Sequence, residues 1–296
     1  MKDMSNSKFV EYFEKKVRKT IKQQELFGKE DKIGMAVSGG KDSTVCLHIL
    51  KKLGYNVEGI TIDANIGNYT RKNLENLKEV CAKLDVKLHV ISFREEFGSS
   101  LCFMRSALKS KGFEHSSCKL CGILKRYLLN KYSKELGFDY LATGHNLDDE
   151  AQTFLMNAFR NDTKRVARQG PKSGNTKSKS FVQRVKPIYF MTEEEAKRYS
   201  KIMNFPVNYD ICPCSTNAYR REFITMLNAF EERHPSVKNN IVKFQEFISN
   251  NLPVQENIVI NSCTQCGEPA SQEVCKTCQI INELQSMPKE EKSCST

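Results

Sequence analysis

The sequence predicts an α/β protein: a parallel sheet with helices on both faces, followed by a helical region and a small metal-binding tail. Three observations carry that expectation. Short apolar runs alternate with helical patterns through the first 160 residues. Each run is largely apolar, as suits a strand covered on both faces. Eight of the twelve cysteines fall into close groups, four of them near the C-terminus.

The elements follow in order. Residues 8–27 put Phe9, Tyr12, Phe13, Val17 and Ile21 on one helical stripe. KIGMAV (32–37) reads as a strand that runs into SGGKDS, and a helical pattern spans Thr44 to Leu53. VEGITI (57–62) is a second strand, 71–84 a helix, KLHVIS (87–92) a third strand and 118–136 a helix. FDYLAT (138–143) is a fourth strand and 149–160 a further helix. Residues 160–186 break the pattern, with nine Lys/Arg against one acid, Asp162, and a loop-like stretch, KSGNTKSKS. They form either a solvated, mobile loop or a nucleic-acid contact through Arg160, Lys164, Arg165 and Arg168. Thr192 followed by Glu195 fits a capping box at the start of the next helix. Residues 216–250 read as helices carrying Phe223, Leu227, Phe230, Val242 and Phe244, and NLPVQEN reads as a linker. The expected divisions are a leading helix (1–30), an α/β domain (31–190), a helical region (191–252), the cysteine tail (253–281) and a disordered C-terminus (282–296).

The net charge of +11 fits a lysine-rich surface or a polyanionic partner, above all nucleic acid. No apolar run is long enough to cross a bilayer, so no membrane partner is expected, and the polar N-terminus lacks the apolar stretch of a signal peptide. The expected location is therefore the cytoplasm, where disulfides are disfavoured and paired cysteines point to metal or sulfur chemistry.

SGGKDS sits between a strand and a helix. Its glycines allow a tight turn, its helix-start amides can meet phosphate oxygens, and Ser38, Ser43 and Lys41 add donors and charge. It matches neither the Walker nor the dinucleotide-binding pattern. TGHNLDDEAQT (143–153) also follows a strand and opens a helix. There Asp148 can cap the helix while Asp149 faces the site. In the tail, Cys263, Cys266, Cys275 and Cys278 form two C-x-x-C knuckles, which suits a closed, structural Zn²⁺ site. Cys118, Cys121 and Lys125 lie at i, i+3 and i+7, on one helical face, where the lysine and the helix start would lower the thiol pKa values. By spacing alone the pair could also complete a zinc site with Cys212 and Cys214, or be two inert thiols.

S-G-G-x-D-S resembles the fingerprint of the PP-loop ATP pyrophosphatases, which have a HUP-like fold, cleave ATP between the α- and β-phosphates and transfer AMP to a substrate oxygen. Together with the C-x-x-C before a helix, the Cys-Pro at 212–213 and the terminal cysteines, it makes the chain similar, from about residue 30 to 280, to the TtuA/NcsA group of tRNA 2-thiouridine synthetases. The resemblance implies that residues 31–190 are a catalytic domain binding ATP with Mg²⁺ through Ser38, Gly39, Gly40, Lys41, Asp42, Ser43, Asp63, Gly144 and His145. It implies a [4Fe–4S] cluster on Cys118, Cys121 and Cys212, leaving one iron without a protein ligand, with Cys214 a possible substitute for Cys212. Lys125 and Asp149 would be catalytic. The implied partners are tRNA, a sulfur donor or ubiquitin-like sulfur carrier protein, and a second copy of the chain in a homodimer. The product would be 2-thiouridine, at wobble position 34 in preference to position 54. Members usually begin with a zinc module holding two C-x-x-C pairs, whereas this sequence has no cysteine before Cys46. Two alternatives stand beside this reading: a cluster-free thiolase carrying persulfide on Cys118 or Cys212, and a zinc-stabilised RNA-binding protein with a vestigial ATP loop. A third, ATP-dependent ligation, gives the C-x-x-C no role.

Overall fold

The computed structural model describes residues 4–113, 116–173, 180–215, 218–251 and 261–286. The predicted leading helix is α1 (Asn6–Gln23), and its stripe is buried: Phe9, Phe13, Val17 and Ile21 pack in one core with Ile33, Met35, Leu47 and Tyr199. Each such side chain contributes roughly 1.5–3 kcal/mol by leaving water. α1 is thus part of the main core. It stops earlier than its pattern suggests, because Glu25 takes φ +46° and turns Leu26 and Phe27 inward.

The next elements are β1 (Lys32–Ala36), α2 (Lys41–Lys52), β2 (Asn56–Asp63), α3 (Gly67–Lys83) and β3 (Leu88–Ser92). Two helices that the sequence pattern missed come next, α4 (Phe93–Phe97) and α5 (Leu101–Ser110). α4 is too short to show a period and ends at Gly98 with φ +71°; Ser100 caps α5 by accepting the Phe103 N–H. Then come α6 (Ser117–Glu135), β4 (Tyr140–Thr143) and α7 (Leu147–Ala158).

Residues 160–186 are more structured than the loop expected of them. They contain α8 (Thr163–Val166), β5 (Lys172–Ser173) and β6 (Gln183–Val185), while 174–179, most of KSGNTKSKS, lies outside the described residues. β6 pairs in parallel with β4, a pairing hidden by its polar sequence, QRV. Lys186, counted above among the basic residues, is buried and pairs with Glu150 at 2.7 Å.

The sheet order is β3-β2-β1-β4-β6-β5, parallel except for β5. The order in which strands are added reverses between the parallel neighbours β1 and β4, so the carboxyl ends of those strands flank a crevice, the usual ligand position in an open α/β sheet. The capping box at Thr192 and Glu195 is present at α9 (Glu193–Ile202). α10 (Ala218–Arg233) and α11 (Val237–Asn251) follow, with Leu227 and Val242 packed on Leu147 and Tyr189. Of the residues these helices carry, Phe230 and Phe244 are 45% and 56% exposed.

The NLPVQEN linker lies, apart from its first residue, Asn251, outside the described residues. The tail holds β7 (Asn261–Ser262), β8 (Pro269–Ala270) and α12 (Lys276–Gln285). α12 carries residues 282–285 as helix, so the expected disorder from 282 is corrected there; 287–296 lie outside the described residues. Ile280 packs in the core beneath α6, with Leu120, Leu124 and Leu128. Asn130 Nδ2 donates to Glu268 at 2.7 Å, and Lys134 pairs with the same carboxylate.

Candidate active site

The loop between β1 and α2 is built for a ligand that the backbone must approach closely. Gly39 takes φ +83°, and a Cβ there would lie 2.7 Å from Asn73 Cβ. Ser38 and Ser43 brace the turn: the Ser38 N–H donates to Ser43 Oγ at 3.2 Å, and Ser43 Oγ donates to the Gly40 carbonyl at 3.1 Å. No side chain caps α2, so its first amides remain open to an anion. Lys41 Nζ is held between Asp42 and Glu193, at 2.9 Å from each. Burial keeps the Asp42 carboxyl above its ordinary value despite Lys41.

The β4–α7 turn packs against this loop from the side. A Cβ on Gly144 would come within 2.7 Å of the Ser43 nitrogen, so only glycine fits. The helix is capped by Asn146, whose side chain accepts the Asp149 N–H at 3.1 Å while Asp149 accepts the Asn146 N–H at 3.3 Å. This corrects the expectation that Asp148 caps. Asp148 is buried, pairs with Lys238 and accepts the Glu193 N–H at 2.8 Å, so it fastens α7 to α9 and α11. Asp149 stands beside Arg220 at 3.5 Å. Its carboxyl is raised by burial, with Arg220 pulling the other way. Arg220, which also donates to Gln152 Oε1 at 3.0 Å, was missed from sequence; it is the first of the two arginines in NAYRR, which carry no motif. His145 Nδ1 lies 2.9 Å from Thr143 Oγ1, and enclosure in the cleft together with Lys186 lowers its pKa to about 4. It is therefore neutral near pH 7.

α6 begins at the N-cap Ser116, which accepts the Lys119 N–H at 3.3 Å. Cys118, Cys121, Gly122 and Lys125 line a cavity of about 330 Å³ together with Cys212 and Cys214 from the loop before α10. Ser38 and Asp63, at the ends of β1 and β2, line the same cavity. Asp63 accepts from the Asn65 N–H at 2.7 Å and its side-chain amide at 3.0 Å. Asn73 Oδ1 and Ser117 Oγ, both lining residues, are buried without a hydrogen-bond partner among the described residues, which suits a polar occupant. The thiol of Cys121 is raised by burial, which outweighs Lys125; the expected lowering is corrected. The Cys118 thiol points to the Cys214 carbonyl (3.8 Å), and Cys214 Sγ lies 3.9 Å from Cys102 Sγ, turned toward α5. Neither Cys102 nor its proximity to the site was anticipated, since α5 itself was missed.

The tail cysteines are arranged differently. The sulfurs of Cys263, Cys266, Cys275 and Cys278 all lie within 4.8 Å of one another, a group able to hold one metal ion. Cys266 Sγ and Cys275 Sγ are 3.7 Å apart, the edge of a tetrahedron with metal–sulfur bonds of about 2.3 Å. The Cys275 N–H donates to Cys263 Sγ at 3.2 Å, and although burial opposes it, such amides lower Cys263 to about 6, favouring the thiolate that a metal needs. Among the described residues, Cys118, Cys121 and Cys212 form no such tight group. Three spaced thiols around an open cavity suit a multi-iron cluster better than a single ion. Arg160, Lys164, Arg165 and Arg168 are exposed beyond the end of α7. Arg160 stacks on Tyr219 at 4.3 Å, and Arg165 pairs with Asp162 at 3.2 Å.

The sheet, its glycine-bearing loop and the crevice at the β1/β4 switch define a nucleotide-binding protein of the PP-loop class. A family model described as a PP-loop domain matches residues 10–228. A tRNA-5-methyluridine(54) 2-sulfurtransferase from Pyrococcus horikoshii is 35% identical over 276 residues, covering 92% of this chain and 85% of that one. The tRNA 2-thiolation protein NcsA of Haloferax volcanii is 30% identical over 93% of this chain and 91% of its own length. The solved U34-tRNA thiolase NcsA of Methanococcus maripaludis, with its [4Fe–4S] cluster, superposes with a TM-score of 0.79 at 27% identity, over 96% of this chain and 91% of that one. The chain belongs to the PP-loop family, in its group of tRNA 2-sulfurtransferases and 2-thiolation proteins. None of its helices among the described residues is long and apolar enough to cross a membrane.

Proposed function

We propose that this protein is an AMP-forming tRNA uridine 2-sulfurtransferase. The observation that carries the reading is that Ser38 of the nucleotide loop shares one cavity with Cys118, Cys121, Cys212 and Lys125. ATP with Mg²⁺ lies along residues 38–43, against Gly144 and His145, with Asp63 at the rim. O2 of the uridine attacks the α-phosphorus and pyrophosphate leaves. Lys125 orients the base from within the cavity, and Asp149, held by Asn146 and Arg220, positions the uracil or the metal ion. Sulfide delivered into the cavity then attacks C2, and AMP leaves as 2-thiouridine forms.

A [4Fe–4S] cluster on Cys118, Cys121 and Cys212 would supply a Lewis-acidic iron for that sulfide. Cys212 is preferred to Cys214 as the third ligand because the Cys214 thiol is turned to Cys102. The tail tetrad is assigned Zn²⁺. The exposed Arg160, Lys164, Arg165 and Arg168 contact tRNA phosphates. A small sulfur donor or a ubiquitin-like carrier feeds the site, the enzyme works as a homodimer in the cytoplasm, and the favoured target is wobble uridine 34, with position 54 the alternative.

The test is anaerobic: purified protein, tRNA, ATP and sulfide, followed by mass spectrometry of nucleosides and of mapped tRNA fragments. The expected result is brown protein, AMP released in step with 2-thiouridine, and the new sulfur in the anticodon fragment. Active, colourless protein would sink the cluster assignment, and RNA binding without AMP release would sink the enzyme.

A further inference from the structure

Cys102 and Cys214 belong to neither metal site, yet their sulfurs approach to 3.9 Å. Cys102 is exposed on the first turn of α5, and its neighbour Leu101 lines the cavity. Cys214 is half-buried and lines the cavity as well. Cys212 and Cys214 sit on a tight turn, in which the Ser215 N–H donates to the Cys212 carbonyl at 2.8 Å, and of the two it is Cys214 whose sulfur lies against Cys102. The thiols therefore form a path of decreasing exposure, from solvent at Cys102, through Cys214, to the cavity. A sulfur–sulfur bond is about 2.05 Å, so closing this pair needs a movement of about 2 Å, which an exposed cysteine supplies by rotation about χ1.

We propose that Cys102 and Cys214 are a sulfur-intake pair, which accepts sulfane sulfur from a persulfide at the surface and releases it as hydrosulfide at the cavity. The inference rests on the sulfurtransferase reading above. In the first step the Cys102 thiolate attacks the outer sulfur of a donor R–S–SH, forming Cys102–S–SH and expelling R–S⁻. In the second, the Cys214 thiolate attacks the inner sulfur of Cys102–S–SH. A Cys102–Cys214 disulfide forms and HS⁻ leaves. The two thiols together lose two electrons and the sulfane sulfur gains them. Two equivalents of a small-molecule thiol then reduce the disulfide and are themselves joined as a disulfide.

The test compares two donors, glutathione persulfide and sodium sulfide, on anaerobic holoenzyme with tRNA and ATP. Cys102→Ser is expected to lose at least tenfold of persulfide-driven thiolation while sulfide-driven thiolation stays within twofold of the parent. An independent readout needs neither tRNA nor ATP. One equivalent of glutathione persulfide, followed by alkylation and non-reducing peptide mapping, should link the peptide holding Cys102 to that holding Cys214 and release one equivalent of sulfide; Cys102→Ser should abolish both signals. Equal persulfide-driven rates in parent and Cys102→Ser, or sulfide release without the cross-link, would overturn the pair. If neither donor thiolates tRNA in the parent but the cross-link forms, the sulfurtransferase reading fails and the thiol chemistry stands.

Discussion

The cysteines of α6 and those of the tail share a C-x-x-C spacing and little else. The tail sets two knuckles face to face, so that four sulfurs close on one point and no position is left for a substrate. The α6 pair opens onto a 330 Å³ cavity lined also by a lysine one turn further along, by Cys212 and Cys214 from a distant loop and by Ser38 of the nucleotide loop. The same short motif thus builds a closed knot in one place and lines an open chamber in the other. What decides is whether the second pair closes on the first: Cys212 and Cys214 reach the same cavity, but the Cys214 thiol is turned to Cys102 and no tight group forms among the described residues.

The sharpest way to break this contrast is to cut one cysteine from each region. Cys121→Ala should lower thiolation on the order of a thousandfold, about 4 kcal/mol of transition-state stabilisation, with thermal melting within a few degrees of the parent. Cys275→Ala should do the reverse: because metal binding and folding of such a module are coupled, melting should fall by roughly 10 °C while thiolation per folded molecule changes little. Nucleoside mass spectrometry and calorimetry on the same preparations decide it. A Cys275→Ala protein that melts normally but has lost thiolation would erase the distinction.

Within the chamber, Lys125→Ala should cost roughly a hundredfold in single-turnover thiolation, as removal of one positioned donor does, and leave visible absorbance intact. Loss of colour instead would make Lys125 a support for the cysteines rather than a contact to the base. The packing of the β4–α7 turn on the nucleotide loop can be tested at Gly144, where a Cβ would meet the Ser43 nitrogen at 2.7 Å. Gly144→Ala should cost about 1–3 kcal/mol of stability, read by urea denaturation, and weaken ATP binding in the same variant.

The smallest effect concerns the scaffold that both regions share. His48 packs on Phe205 with both ring nitrogens buried and unpartnered among the described residues, and burial followed by Lys52 lowers its pKa. The unfolded chain takes up a proton near pH 6.5, while the folded one resists it. The stability from His48 is therefore complete above that pH and is lost as pH falls below it. His48→Leu should flatten the decline in urea midpoint between pH 7.5 and 5.5; an unchanged slope would assign the decline elsewhere.

Much of the chamber was legible in sequence because its parts are local. SGGKDS, the Gly-His turn and the C-x-x-C each lie within a few residues, and strand alternation placed them at strand ends or a helix start. Arg220, Cys102 and β6 were not legible. Arg220 reaches Asp149 across 71 positions, Cys102 meets Cys214 across 112, and β6 is a strand only because β4 lies beside it. No periodicity within a segment reports a partner that far away. Asp148 was misread for a related reason: capping propensity describes a free helix end, and here Lys238 and the Glu193 amide claim the carboxylate.

α6 is a rod of 19 residues, close to 28 Å long at about 1.5 Å per residue. Its first turn carries the chamber cysteines, and its last turns are bolted to the tail through Asn130, Lys134 and Glu268. With zinc assigned to the tail and an iron–sulfur cluster to α6, as proposed above, the rod joins two metal sites in one folding unit. A shortage of the ion that knots the tail would then lower the amount of folded protein, so modified tRNA would register zinc supply as well as iron and sulfur.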